Sequence, residues 1–267
     1  MKLGEKVHLL SQKNGGVSKA RNTGIAHASG THIALMDADD RWRPGYTAKI
    51  HQLYNNFPQA KAFASAYVKL QGNSVINPKI RLGNIKKDCI LSNYFAIAAK
   101  GDLPFMTSSI CIEKQFLMKT GGFPEGEPMG EDQDVWARLS LTSKIAYSPE
   151  ILSCYVLDAE NRACHHNTPK RECPFSQRLN NAVIDGEIPS ALRASVLKYT
   201  ATHLIHLATA LIDNHEFEAA KKLLSDKRCR KLPIKRLKQQ LRLHMKSLRQ
   251  MYSRTLSSDK PSLESSC

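Results

Sequence analysis

The sequence predicts an α/β fold, an open sheet flanked by helices, followed by a helical and strongly basic C-terminal region. The first sign lies in residues 14–44, where a glycine turn opens a helical stretch, a short apolar run follows, and three aspartates close it. In an open α/β sheet ligands bind just beyond the carboxyl ends of the strands, which is where those aspartates fall. A second block, residues 121–139, runs from Gly121-Gly122-Phe123 through Glu131, Asp132 and Asp134 into an apolar helix. The third sign is a tail whose apolar residues recur at helical spacing among lysines and arginines.

The 267 residues suffice for one α/β domain and an appendage. A hydrophobic fraction of 42% and a charged fraction of 24% are ordinary for a globular protein. No apolar run approaches the roughly 20 residues that span a bilayer, and Met1–Lys6 lacks the apolar segment of a signal peptide. The seven cysteines have no paired spacing, which suits a reducing compartment. A cytoplasmic location is therefore expected. The net charge of +15 is concentrated, with eleven Lys or Arg and no Asp or Glu between Lys227 and Arg254. The remainder is only mildly basic, so nucleic acid is not an expected partner.

Taken in order, Lys6–Leu10 reads as a short strand. Gly15-Gly16 turns the chain into a helix from Ser18 to Ala28, with Ser18 or Asn14 as N-cap and Gly30 as its stop. Ile33–Met36 is short and apolar enough for a buried strand. The carboxylates of Asp37, Asp39 and Asp40 repel one another unless a cation or proton intervenes, and a hard divalent ion is their natural partner. In isolation such a run also reads as an acidic turn. Tyr46–Asn56 predicts a helix ending before Pro58, and Lys61–Leu70 a strand. Residues 71–104 are punctuated by turns and weakly patterned. Phe105–Ile112 predicts a strand, Glu113–Thr120 a short helix, and Ile151–Leu157 another strand. A helix starts near Asp132, its acidic residues set against the positive helix end.

Residues Asn14-Gly-Gly-Val-Ser-Lys-Ala-Arg-Asn-Thr-Gly24, a spacer, and a strand running into Asp37-Ala-Asp-Asp40 resemble the donor-binding segment of family 2 glycosyltransferases of the GT-A type. Gly121-Gly122-Phe123, then Glu131-Asp132 and an aromatic-bearing helix, resembles that family's second motif. The resemblance covers roughly Val7–Arg162 and implies a GT-A mixed sheet with flanking helices. By resemblance, Asp39 holds Mg²⁺ or Mn²⁺, Asp37 meets the ribose or the metal's water shell, and Arg21 meets the nucleotide. Asp132 is the implied catalytic base, with Glu131 and Trp136 in the substrate site. Some relatives use a histidine near His166 as a further metal ligand. Cys154, Cys164, His165, His166 and Cys173 match no compact zinc spacing, and incidental histidines on a surface loop explain them more simply.

The implied reaction moves a sugar, with inversion, from a nucleotide-sugar donor to a hydroxyl of a glycan or lipid-linked acceptor in polysaccharide or glycoconjugate synthesis. Two other classes stay open: a metal phosphohydrolase using Asp37 and Asp39, and an inactive fragment that only binds a membrane or partner. Members of the resembled family carry about two strand–helix units before the Asn-Gly block. At about 30 residues per βαβ unit these do not fit in the thirteen residues before Asn14. The expectation is an N-terminally truncated domain at 1–170, with two strands facing each other across a gap. Residues 1–267 alone are then expected to neither bind nor transfer a nucleotide-sugar.

Residues 171–256 are expected to be helical and basic, and 257–267 disordered. Pro189–Asn214 and Glu216–Asp226 predict helices, and Pro233 opens a third. In the third, Leu237, Leu241, Met245, Leu248 and Tyr252 share a face ringed by lysines and arginines. Such a helix either lies on an anionic membrane, at the inner face of which the protein would be peripheral, or packs on the helices before it.

Overall fold

The computed structural model describes residues 7–158 and 169–258, with side chains through Gln250. Seven strands form one mixed sheet: β1 (His32–Ala34), β2 (Arg41–Trp42), β3 (Ala60–Gln71), β4 (Ser74–Ile76), β5 (Cys89–Ile90), β6 (Ile110–Glu113) and β7 (Lys144–Val156). The main order is β1-β6-β3-β7-β2, with β4 on β3 and β5 on β7. Strands β3 and β7 run parallel from Ala60/Lys144 to Leu70/Val156, while β6 is antiparallel to both β1 and β3. Helices cover both faces, so the middle of β3 is buried without alternation from Phe63 to Val68.

On one face α2 (Tyr46–Asn56) sets Tyr46, Ile50 and Leu53 against Phe63, Cys111 and Ala146. The other face carries α3 (Tyr94–Ala98), α4 (Lys114–Lys119) and α5 (Glu131–Thr142). Beyond lie α6 (Pro174–Ile184), α7 (Ser190–Asp213), α8 (Phe217–Ser225) and α9 (Pro233–Ser258). One apolar core runs without a break from Ile25 and Ile33 through Trp136 to Leu204, Leu211 and Leu224. No described helix is long and apolar enough to cross a membrane.

Four expectations are corrected. Val7–Leu10 is not a strand but irregular and exposed, Leu9 by 89%, because no described strand lies beside it to take its hydrogen bonds. The strand expected over Phe105–Ile112 is confined to Ile110–Glu113, since Ser109 Oγ bonds both the N–H and the carbonyl of Met106 and tightens 107–109 into a 3₁₀ turn. The strand expected from Ile151 begins at Lys144, and Pro149 escapes the ladder in the bulge between Ser148 and Ile151. No gap opens inside the described sheet. Strand β1 is its edge, bonded to β6 alone, so every ladder from β1 to β2 is intact.

Candidate active site

Helix α1 (Gly16–His27) begins with Gly16 at φ +86°, a conformation that favours glycine, and the Asn14 side chain accepts from the Gly16 N–H at 3.0 Å. Asn14 therefore caps the turn, while Ser18 lies buried within the helix. One turn later Arg21 donates to Asp37 at 2.8 Å and to Glu131 at 3.0 Å. Burial works against its charge, but Asp37 and Glu131 outweigh burial and hold it cationic. The guanidinium also lies 5.0 Å over the Phe123 ring. A single arginine thus ties together carboxylates from two blocks far apart in sequence.

The aspartates after β1 divide into three environments. Asp37 is paired with Arg21. Asp40 is buried, accepting from Ser108 Oγ at 2.5 Å and the Val156 N–H at 3.1 Å, and burial pushes its carboxyl up to about 6. Ser108 also accepts from the Asp37 N–H, and its carbonyl accepts from Trp42 and Ser153, so one buried serine fixes the whole acidic turn. Asp39 makes no hydrogen bond or ion pair with described residues and lines the cleft. Among the described residues no three His, Cys, Asp or Glu side chains gather closely enough to hold a metal by themselves. Asp39 beside Asp37 nonetheless fits Mg²⁺ or Mn²⁺, because such ions take one or two carboxylates and complete their shell with water and substrate phosphates.

The opposite wall is the N-terminal end of α5. Gly130 caps it at φ +88°, and a Cβ there would fall 2.6 Å from the Phe175 ring, so glycine is required twice over. Asp132 accepts from the Gln133 N–H at 2.6 Å. Burial and the neighbouring Glu131 push its carboxyl up to about 7, against the pull of Arg21. Asp134 is buried and held from two sides, by Arg138 at 2.7 Å and by Arg178 of α6 at 2.5 Å. Arg178 also pairs with Glu127, and Arg138 donates to the carbonyls of Thr120 and Gly122. Tyr199 of α7 donates to Gln133 at 2.8 Å.

The two walls are tied by Asn22, which donates to Phe123 O at 2.8 Å and accepts from the Phe123 N–H at 2.9 Å. Between them lies a cleft of about 640 Å³ lined by Arg21, Asp37, Asp39, Glu131 and Asp132, and on its far side by His206 of α7. Five of the seven expected site residues therefore converge. Trp136 does not: it is wholly buried against Phe105 and Phe123, and an aromatic on the apolar face of α5 fills the core instead of the cleft. His166, His165 and Cys164 lie outside the described residues. Sequence reasoning missed Ser108, Asn22 and Arg178. Asn22 had a signal, its place in the Asn14–Gly24 pattern; the other two had none.

The model for glycosyl transferase family 2 matches residues 1–119. Over these residues, less than half of the chain, the sequence is similar to family 2 glycosyltransferases. The match ends before α5, so it covers Arg21, Asp37 and Asp39 and not Asp132. An uncharacterized glycosyltransferase of Haemophilus influenzae is 25% identical over 181 residues, 64% of this chain and 54% of the relative. The chain thus spans about half the length of that curated relative. Among solved structures, S. aureus TarS 1–349 in complex with UDP-GlcNAc superposes with a TM-score of 0.57 at 14% identity, covering 81% of this chain and 65% of that one. The mannosyltransferase PcManGT of Pyrobaculum calidifontis, in complex with GDP-Man and Mn²⁺, gives 0.50 at 17% identity over 90% and 68%. These likenesses establish a GT-A-type mixed sheet with flanking helices.

Proposed function

We propose that the cleft transfers a sugar from a nucleotide-sugar to an acceptor hydroxyl, with inversion and with a divalent ion, in polysaccharide or glycoconjugate synthesis. The observation that carries this reading is the Asp37–Arg21–Glu131 chain, which joins the two walls of one cleft. That cleft is lined by Asp39, a carboxylate with no partner among the described residues, and by Asp132, whose carboxyl is pushed up to about 7 by burial. A bound Mg²⁺ or Mn²⁺ would neutralise charge growing on the leaving diphosphate. Asp39 and Asp37 would hold that ion, and Arg21, paired with Asp37 and Glu131, would orient the nucleotide. Asp132 accepts the acceptor's proton as the hydroxyl attacks the anomeric carbon, which its poise near pH 7 suits. A single base opposite the leaving group supports one displacement and hence inversion.

The nucleotide-sugars bound by the TarS and PcManGT structures support this donor class, and the Mn²⁺ in the latter supports the ion. The acceptor is proposed as a glycan or lipid-linked hydroxyl. The test is release of nucleoside diphosphate from a panel of nucleotide-sugars with Mn²⁺, with the product's anomeric configuration read by NMR. Inverted product that disappears in excess chelator is expected. Retained configuration, or full turnover in chelator, overturns the reading.

A second reading, a module that binds without catalysing, draws on the free edge of β1. A groove between α1 and β1 opens beside that edge and shares Val17, Arg21, Asp37 and Ala38 with the cleft, so among the described residues the two are continuous. Peripheral location at a membrane is a separate proposal, and it rests on the last helix.

A further inference from the structure

Helix α9 presents two opposed faces. Its inner face rests on α7 and α8: Leu243 is half-buried against the main core, Arg236 donates to Leu224 O at 2.9 Å, and Lys235 reaches Ala99 O at 3.2 Å. The outer face carries Ile234, Leu237, Leu241, Met245 and Leu248, each at least 51% exposed. At 3.6 residues per turn these five fall within about 80° of arc, opposite Leu243. The packed alternative is thereby excluded for this stripe. The helix packs, but with its other side.

The cations around the stripe are not equivalent. Arg242 and Lys246 are turned back onto Asp213 at 2.7 and 2.6 Å. Lys238 and Arg249, which border the stripe beside Met245, are exposed and make no ion pair with described residues. Five apolar side chains bordered along one side by two cations without an ion pair among the described residues, on a segment with eleven basic and no acidic residues between Lys227 and Arg254, form a surface of one definite chemistry.

We propose that α9 docks in the plane of an anionic lipid surface. The stripe sinks to the boundary between headgroups and acyl chains, and Lys238 and Arg249 extend to the lipid phosphates. The charge pattern argues against the other occupants. A second copy meeting stripe to stripe would bring two cationic borders together with no acid on either helix to offset them. A nucleic acid would satisfy the cations and leave five apolar side chains in water. The inference is independent of the glycosyl-transfer reading, because it uses none of the cleft residues.

The test is sedimentation of the full chain with phosphatidylcholine vesicles, alone and mixed with phosphatidylglycerol. Binding is expected only in the mixture and should weaken as salt rises. In Leu237→Gln/Leu241→Gln/Leu248→Gln, binding should fall by about a hundredfold or more. In Lys238→Glu/Arg249→Glu it should fall by about tenfold or more. Both residues of this charge pair are exposed, which keeps the test decisive should the leucine variant misfold. Equal binding to neutral vesicles, or unchanged binding by both variants, overturns the proposal. So does a wild-type dimer by sedimentation equilibrium that the leucine variant makes monomeric without any vesicle binding, which would make a second copy the occupant.

Discussion

The two walls of the cleft are held in opposite ways. The wall of Asp37 and Asp39, proposed to hold the ion, rests on β1, a three-residue strand at the edge of the described sheet, and on α1, which buries only Ser18 and Ile25. The wall of the proposed base, Asp132, is α5, which buries Asp134, Val135, Trp136, Ala137 and Leu139 and is clamped by arginines from its own helix and from α6. A proton acceptor must sit within hydrogen-bond reach of one hydroxyl, and a buried, clamped helix end supplies that placement. An ion shared with a diphosphate completes its shell from the substrate, so its carboxylates tolerate a looser mount. In the proposed reaction, placement is built into the Asp132 wall and left to the ligand on the Asp39 wall.

Breaking the base wall should have the largest effect. Asp132→Asn keeps the shape but accepts no proton, and turnover is expected to fall by about 10²–10⁴-fold with donor affinity retained. Wild-type turnover in that variant would move the base to another carboxylate. Gly130→Ala meets both the positive φ and the Phe175 ring, and should cost about 3 kcal/mol in urea unfolding. An unchanged midpoint would mean that the Phe175 ring yields freely. Arg178→Ala strips the buried Asp134 of one partner and should cost about 1–3 kcal/mol. A matched loss at the weakly held α1 end is not expected: Asn22→Ala should cost about 1 kcal/mol, and a larger loss would erase the contrast between the walls.

The smallest effect is on pH dependence. Asp132 must be unprotonated to act, and with its carboxyl at about 7 the rate should rise through neutral pH to a plateau on the alkaline side. Glu131 is one cause of that upward shift, so Glu131→Gln should move the rising limb to lower pH. A limb that stays put, or moves upward, would contradict the assignment of Asp132.

What was legible in the sequence was local. The α1 turn, β1, the α5 start and the three last long helices follow from glycine turns and periodicity, which act over a few residues. Asp37, Asp39 and Asp132 lay in the patterns themselves. The clamps were illegible because they span the chain: Arg178 reaches Asp134 across 44 residues, and Ser108 reaches Asp40 across 68. Trp136 was misassigned because a motif position and a core position coincide on one helix, and only packing tells them apart. The expected gap in the sheet failed for a different reason. Strand order decides whether an unpaired strand lies inside a sheet or at its border, and among the described strands β1 lies at the border.

The central claim is that Asp39 and Asp132 serve one nucleotide-sugar site from walls of different character. Titration calorimetry of the full chain with UDP- and GDP-sugars, with Mn²⁺ and with chelator, tests it most directly. The expectation that residues 1–267 bind no nucleotide-sugar rests on a gap that the described sheet lacks. The account instead predicts binding that needs Mn²⁺, that Asp39→Ala abolishes, and that Asp132→Asn leaves intact. Binding indifferent to chelator and to Asp39→Ala, or no binding of any nucleotide-sugar with Mn²⁺ present, would contradict it.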